Sequence, residues 1–274
     1  MFKKLFGKRK ENPVAKETTE TKVEVTPDVS EETFPPRGHN QEIYDKATKM
    51  IEFSGKYVND NMNNITETIC NRMKTSNSKG INGPEMYKTL LKGVNREIDR
   101  VENYCNMKSS CGKGCAYCCY QAIYVSITEA EFILRAIRNM DIKSIRNIQS
   151  QAAYIVQKLE NTNIPMRLVD PTKEREINLE FMKLNLRCPL LNENNECMVY
   201  ETRPIACYAF RNYGNPLDCQ GKIAPHTYHF PEFTDTIGLN TMKAIALSYN
   251  RWEDTMQNFV LLADFLADNL RYYI

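Results

Sequence analysis

Cys111-Gly-Lys-Gly-Cys115-Ala-Tyr-Cys118-Cys119 places four thiols in nine residues. Downstream, Cys188-Pro-Leu-Leu-Asn-Glu-Asn-Asn-Glu-Cys197 is followed by Cys207 and Cys219, which makes a second group of four. Thiolates that share a metal must converge to about 2.3 Å from it, and short spacing on a glycine loop achieves this. Gly112 and Gly114 let the first loop curl. Asn192-Glu-Asn-Asn195 is a turn that folds Cys188 toward Cys197 at the open end of a short β-hairpin. Pro204 can begin a helical turn before Cys207, and Gly214 and Pro216 open a loop before Cys219. Predicted helix fills most of the chain between Cys119 and Cys188, so the two groups share a site only through the fold. Each alone has enough thiols for a tetrahedral zinc or one iron–sulfur cluster. The adjacent pair Cys118-Cys119 suits a single mononuclear tetrahedron poorly, because neighbouring side chains diverge. Eight thiols also exceed the needs of one zinc.

The rest of the composition is ordinary. The chain has 274 residues, 42% hydrophobic and 10% aromatic, which suits one large domain or two small ones. Mean hydropathy is −0.52, and no apolar run approaches the length of a membrane-spanning helix. Thirty-six Lys and Arg against 34 Asp and Glu exclude a wholly nucleic-acid-binding protein, and no nucleic acid partner is expected. The start, MFKKLFGKRKE, offers only Phe2, Leu5 and Phe6 as apolar content, too little for a secretion signal. The expectation is therefore a cytoplasmic chain in a reducing compartment, where clustered thiols more often hold metal or do redox chemistry than form structural disulfides.

Residues 1–38 read as a basic start and a disordered acidic linker. Five positive charges fall in residues 1–10, and seven acids in 11–36. The first ten residues carry the apolar edge and basic face used for weak membrane-surface contact, though a solubilising tail is the plainer reading. Residues 39–274 read as a single helical domain with its cysteine core at about 108–222. Apolar residues recur at helical spacing from Ile43 to Met73, broken near Gly55 into one helix or two, and again from Met86 through Leu90, Val94, Ile98 and Val101 to Cys105. Ala122–Val125 reads as a strand, capped into the next helix by Ser126 or Thr128 with Glu129 and Glu131 in its first turn. Helices are predicted over 142–159, 172–184 and 239–273, and short strands over 188–200. The fold class is mainly α: a bundle-like domain around an irregular cysteine-rich metal-binding centre with a short β-hairpin. Cys70 and Cys105 fall on apolar helical faces and read as core residues.

Cys111-x3-Cys115-x2-Cys118 is similar to the radical S-adenosylmethionine motif, but those enzymes need alternating strands and helices after it, and here helices follow. The strings CGKGCAYCC, IYVSITEAE and CPLLNENNECMVYETRPIACYAF, within roughly residues 108–222, resemble the CxxCxxCC cysteine-cluster family of zinc- or iron-chelating proteins. The resemblance implies Cys111, Cys115, Cys118, Cys119, Cys188, Cys197 and Cys207 as metal ligands, and Cys219-Gln-Gly fits the later Cys-x-Gly of many members. Tyr208 departs from the family pattern, where an arginine commonly follows the last motif cysteine. One branch of the family comprises flagellin lysine N-methylases, and likeness to that branch implies an iron–sulfur cluster, S-adenosylmethionine and a protein substrate.

Around the thiols, Arg203 and Tyr200 are candidates to donate hydrogen bonds to sulfur or to bind an anion. Alternatively, Arg203 pairs with a helix carboxylate such as Glu131, itself open to reading as a surface acid at a helix start. His226-Thr-Tyr-His229 could chelate zinc or simply make loop hydrogen bonds. Lys113 either lowers nearby thiol pKa values or is a solvated charge. Tyr208, Tyr249 and Trp252 read as packing residues. Three functions remain open: a metal-binding cysteine-cluster protein holding zinc or iron–sulfur; a structural zinc module in a helical protein that binds a protein partner; and an S-adenosylmethionine-dependent methylase. No nucleophile–base pair or phosphate loop stands out, so an enzyme would depend on the metal.

Overall fold

The computed structural model describes residues 40–50, 52, 53, 64, 67, 68, 71, 83–220, 227–229 and 259–273. Residues 41–50 are helical. Expectations for residues 1–38, Cys70, Tyr249 and Trp252, and for much of the Ile43–Met73 stripe, lie outside the described residues.

Helix α1, Gly83–Tyr104, takes shape as its spacing dictates. Leu90, Val94, Ile98 and Val101, three or four residues apart, line one face and are fully buried. That face forms a first core with Tyr87, Phe132, Ile205, Tyr208 and Tyr213, and Cys105 packs partly against it as predicted. Strand β1, Tyr124–Ser126, then passes directly into α2, Ile127–Ile137. Ser126 caps α2 by accepting a hydrogen bond from the Glu129 amide at 3.2 Å. Helix α3, Ile142–Leu159, is capped by Asp141, whose carboxylate accepts from the Ser144 amide at 2.9 Å. Strand β2 spans Arg167–Leu168, and α4, Glu174–Lys183, fills most of the helix expected over 172–184. Short helix α5, Ile205–Ala209, starts after Pro204 and leads into β3, Phe210–Asn212, which pairs antiparallel with β4, Thr227–His229.

Two expectations need correction. The segment 239–273 does not continue as one helix through its described part: Phe259–Leu261 is strand β5, and helix α6 begins at Leu262 and ends at Leu270. β5 is the central strand of a three-stranded antiparallel sheet ordered β1-β5-β2, with Val125 and Arg167 both opposite Val260. A three-residue apolar run in a central strand has no alternation, so its pattern is indistinguishable from the helix it joins. The region 188–200 makes its turn but not its strands: one β-bridge, Leu191 to Cys197, is all the ladder it forms. Asn192 builds that turn, its side-chain oxygen accepting from the amides of Asn194 and Glu196, both at 2.9 Å, with Asn195 in the left-handed region at φ 59°.

A second core joins α2, α3 and α6 through Ile133, Ile148 and Leu266, and takes in Leu190 and Val199; Cys188 and Cys197 pack against it. A third lies beneath the small sheet, around Tyr124, Ile155, Phe181 and Leu261. The cysteine-bearing loops therefore run where the first and second cores meet. Glu129 ties this junction together. Its Oε1 accepts from the Tyr87 hydroxyl of α1 and from the Ile205 amide of α5, each at 2.8 Å. Among the described residues, no helix is long and apolar enough to cross a membrane.

Ile148 is fully buried and Ile142 is 49% exposed. Ile148→Ala is expected to cost about 3 kcal/mol in urea unfolding through the cavity it leaves, while Ile142→Ala changes stability by less than about 0.5 kcal/mol. Burial raises the Glu129 pKa above its ordinary 4.5, against the pull of the Ile205 amide and the Tyr87 hydroxyl. The folded state thus favours the neutral acid. Its contribution is complete below 4.5 and is lost as pH rises through the raised folded value. Glu129→Gln, which keeps the acceptor, should flatten that decline. Glu129→Ala, which strands two buried donors, should cost about 2 kcal/mol.

Candidate metal centre

The first cysteine loop is anchored on β3. Both the amide and the hydroxyl of Ser110 donate to the Asn212 carbonyl, at 2.9 and 3.0 Å, and the Asn212 amide returns a hydrogen bond to the Cys111 sulfur at 3.2 Å. Asn212, 2% exposed, also holds the next loop: its side chain donates to the Asn215 carbonyl and accepts from the Gly214 amide, both at 3.1 Å. Gly114 sits at φ +89°, where a side chain would be strained, so the loop does use its glycine to curl. The chain then winds into a 3-10 turn, Tyr117–Tyr120, that carries Cys118 and Cys119.

The second group docks on the first by backbone. The Cys188 amide donates to the Cys119 carbonyl at 2.7 Å. The Leu191–Cys197 bridge brings Cys197 back beside Cys188, and Arg187 donates to the Asn192 carbonyl, tying the tip of the turn to its base. Pro204 turns the chain into α5, and the Cys207 amide bonds to the Pro204 carbonyl at 2.9 Å. Lys113 of the first loop reaches Glu196 of the second at 3.4 Å. This pair is largely solvated and adds little energy.

The result cuts across the grouping in sequence. Cys118, Cys119, Cys188, Cys197 and Cys207 lie close enough that charge on any one raises the pKa of others. The hydrogen bond from Cys118 to Cys119 holds the Cys118 thiol well up, with burial adding to it. The same bond pulls Cys119 down, yet burial and the thiols of Cys188, Cys207 and Cys197 leave it raised. Burial leads at Cys188, Cys197 and Cys207, all of them pushed up. Adjacent thiols at 118 and 119 therefore meet instead of diverging, because the 3-10 turn brings them together. Cys115 belongs electrostatically with Cys111 and, more weakly, with Cys118; burial is what raises it. Cys219 ends a 3-10 turn, Pro216–Cys219, that packs against the turn of Cys118 and Cys119.

Backbone amides point at the sulfurs. The amides of Tyr117, Leu190 and Val199 donate to Cys115, Cys188 and Cys197, each two residues earlier, and lower those thiols against the effect of burial. With the Asn212 amide on Cys111, four sulfurs receive a main-chain donor. Such donors stabilise thiolate over thiol and are the means by which a protein holds metal-bound sulfur.

The positive charge of Arg203 lowers Cys118, Cys197 and Cys207. Its guanidinium lies between the rings of Tyr200 and Tyr208, at 4.2 and 4.1 Å from their centroids. Its Nε is buried without a hydrogen-bond partner. Among the described residues, no carboxylate forms an ion pair with it, so the Glu131 pairing is not made. The carboxylate nearby is Glu129, already taken by Tyr87, whose hydroxyl also lies 3.0 Å from the Arg203 carbonyl. Tyr208 does more than pack: its ring holds Arg203, and its hydroxyl donates to the Tyr200 carbonyl at 3.1 Å. His226 lies outside the described residues, and His229 pairs in register with Phe210 on β4. Glu129, Asn212 and Tyr87 were not singled out by sequence.

Among the described residues, no three or more His, Cys, Asp or Glu side chains already stand in metal-holding geometry. The five thiols are neighbours, not a finished tetrahedron. The donor set nevertheless fits a thiophilic metal: soft sulfur ligands, amides aimed at sulfur, and a buried cation beside them. No curated protein and no solved structure matches this chain. Residues 110–227, which contain all eight of these cysteines, match the model of the CxxCxxCC family, described as a "putative zinc- or iron-chelating domain". The match is thus to the cysteine-bearing segment of the chain, residues 110–227, and takes in both cysteine groups.

Proposed function

We propose that this protein binds zinc or an iron–sulfur cluster through the thiols that gather between its first two cores. The observation that carries this reading is that residues 110–227 match a zinc- or iron-chelating domain and that Cys118, Cys119, Cys188, Cys197 and Cys207, from distant stretches of chain, lie near enough to raise one another's pKa. Crowding mutually repelling ionisable groups into a poorly solvated place costs stability unless something stabilises their charged form. A metal does so outright, because each ligating thiol gives its proton to solvent and the metal carries the sulfur charge. Thiolates select both zinc and iron–sulfur clusters, so the donor set favours this pair over calcium or magnesium. When bound, zinc would supply folding free energy, and an iron–sulfur cluster would supply redox or S-adenosylmethionine chemistry. The protein's own residues hold the sulfurs: Asn212 and the amides of Leu190 and Val199 direct them, and Glu129 fixes the α5 turn that carries Cys207.

Protein purified without oxygen should contain zinc or iron at about one site or more per chain, with acid-labile sulfide and absorption near about 400 nm if the metal is iron. A colourless protein with zinc makes the centre structural and turns attention to a protein partner. Iron with sulfide opens S-adenosylmethionine-dependent methylation of a protein substrate to a binding assay. Folded protein with no metal contradicts the reading.

A further inference from the structure

We propose that the end of the bundle where α2 and α6 finish and α3 begins is a docking surface for anionic membrane lipid. Exposed arginines and a lysine meet the headgroups there, with Ile142, Tyr272 and Tyr273 set among them. This surface uses none of the cysteine loops, and its role stands whether or not the thiols hold metal.

Arg138 ends α2, and its guanidinium lies 4.5 Å from the centre of the Tyr273 ring, just past the end of α6. That contact brings the two helix ends together. Asp141 starts α3 three residues later, so three helix termini meet at one end of the second core. Within residues 135–146 and 268–273, Arg135, Arg138, Lys143, Arg146 and Arg271 are all exposed, against the acids Asp141 and Asp268. Five cations against two acids leave an excess of three, more than the +2 of the whole chain. The two acids are engaged locally. Asp141 accepts from the amide and hydroxyl of Ser144, at 2.9 and 2.6 Å, and Asp268 stands 3.8 Å from Arg271 in an exposed pair that solvent screens.

Apolar side chains stand out among these charges. Tyr272 is 75% exposed, Ile142 49% and Tyr273 41%. Ile142 and Arg146 lie one turn apart on α3, and the Arg271 guanidinium lies 4.8 Å from the centre of the Tyr272 ring. Cation–π contact keeps each guanidinium beside its ring without neutralising it. Tyrosine rings settle at headgroup level, and each Lys or Arg near the surface is drawn to anionic lipid. A patch of charge alone would suit an acidic peptide or nucleic acid phosphates as well, but an exposed isoleucine and two exposed tyrosines favour a lipid interface. Residues 1–10, outside the described part, have the same makeup: five positive charges with Phe2, Leu5 and Phe6. Stable attachment to a bilayer surface takes two signals, and the folded end of the bundle supplies the second.

The test sediments the full chain with vesicles of phosphatidylcholine alone and of phosphatidylcholine mixed with phosphatidylserine. Wild type should bind the mixed vesicles, leave the neutral ones, and come off in high salt. Arg138→Gln/Arg271→Gln should weaken binding at least about tenfold. Tyr272→Ser/Ile142→Ser should weaken it about fivefold and leave the salt dependence in place. Lys158→Gln is the control. Lys158 lies over Tyr154 at 5.2 Å, a similar pair, but at the other end of α3, about 24 Å from Ile142 by helix rise, and its loss should change nothing. All five side chains are exposed, so the variants keep their fold, which an unchanged Tm checks. Wild type that ignores the mixed vesicles overturns the proposal, and so does binding unchanged in either double variant. Unchanged binding in both assigns attachment to residues 1–10 alone. Equal weakening by Lys158→Gln overturns it in favour of diffuse charge. Binding to polyglutamate without binding to vesicles overturns it in favour of an acidic protein partner.

Discussion

Five thiols beside one arginine, wedged between two apolar cores, constrain everything around them. Thiols in that setting stay neutral by burial and resent ionising together, yet backbone amides favour ionised sulfur at Cys188 and Cys197, and Arg203 favours it at Cys118, Cys197 and Cys207. The local architecture follows from that tension. Amides two residues along face Cys115, Cys188 and Cys197, a 3-10 turn pairs Cys118 with Cys119, and a single hydrogen bond, Cys188 amide to Cys119 carbonyl, welds together stretches of chain far apart in sequence.

Charge is partitioned with equal care. Glu129 and Arg203 are both drawn into this junction, and they serve different partners. Glu129 spends its oxygen on Tyr87 and Ile205, which brings α1, α2 and α5 to one point. Arg203 spends its faces on Tyr200 and Tyr208, which fixes the guanidinium without neutralising it. The carboxylate thus serves the fold and the cation serves the sulfurs. Asn212 plays a parallel part on the other side, bonding the first cysteine loop and the loop toward Cys219 through one buried amide side chain.

Much of the scaffold was legible in the residues. The α1 stripe, the Ser126 cap, the Asn192 turn and the helical turn after Pro204 all rest on local rules, and local rules can be read without coordinates. Strand β5 was hidden because Phe259, Val260 and Leu261 offer a helix-compatible apolar run directly before a helix. The cysteines themselves were plain, but their partition was not. Spacing suggested four and four, whereas the fold brings Cys118 and Cys119 within electrostatic reach of Cys188, Cys197 and Cys207, and couples Cys115 to Cys111 and Cys118. That partition depends on tertiary hydrogen bonds, to which spacing is blind. The part Glu129 plays was hidden for the same reason. Glu131 stood at the same helix start, and only the packing of α5 on α2 shows which of the two acids faces inward.

The central claim is that the gathered thiols hold a metal. Anomalous diffraction from crystals of metal-loaded protein, collected at the metal's absorption edge, addresses it directly. The account requires a strong peak among Cys118, Cys119, Cys188, Cys197 and Cys207. Loaded protein with no peak beside these thiols would contradict it.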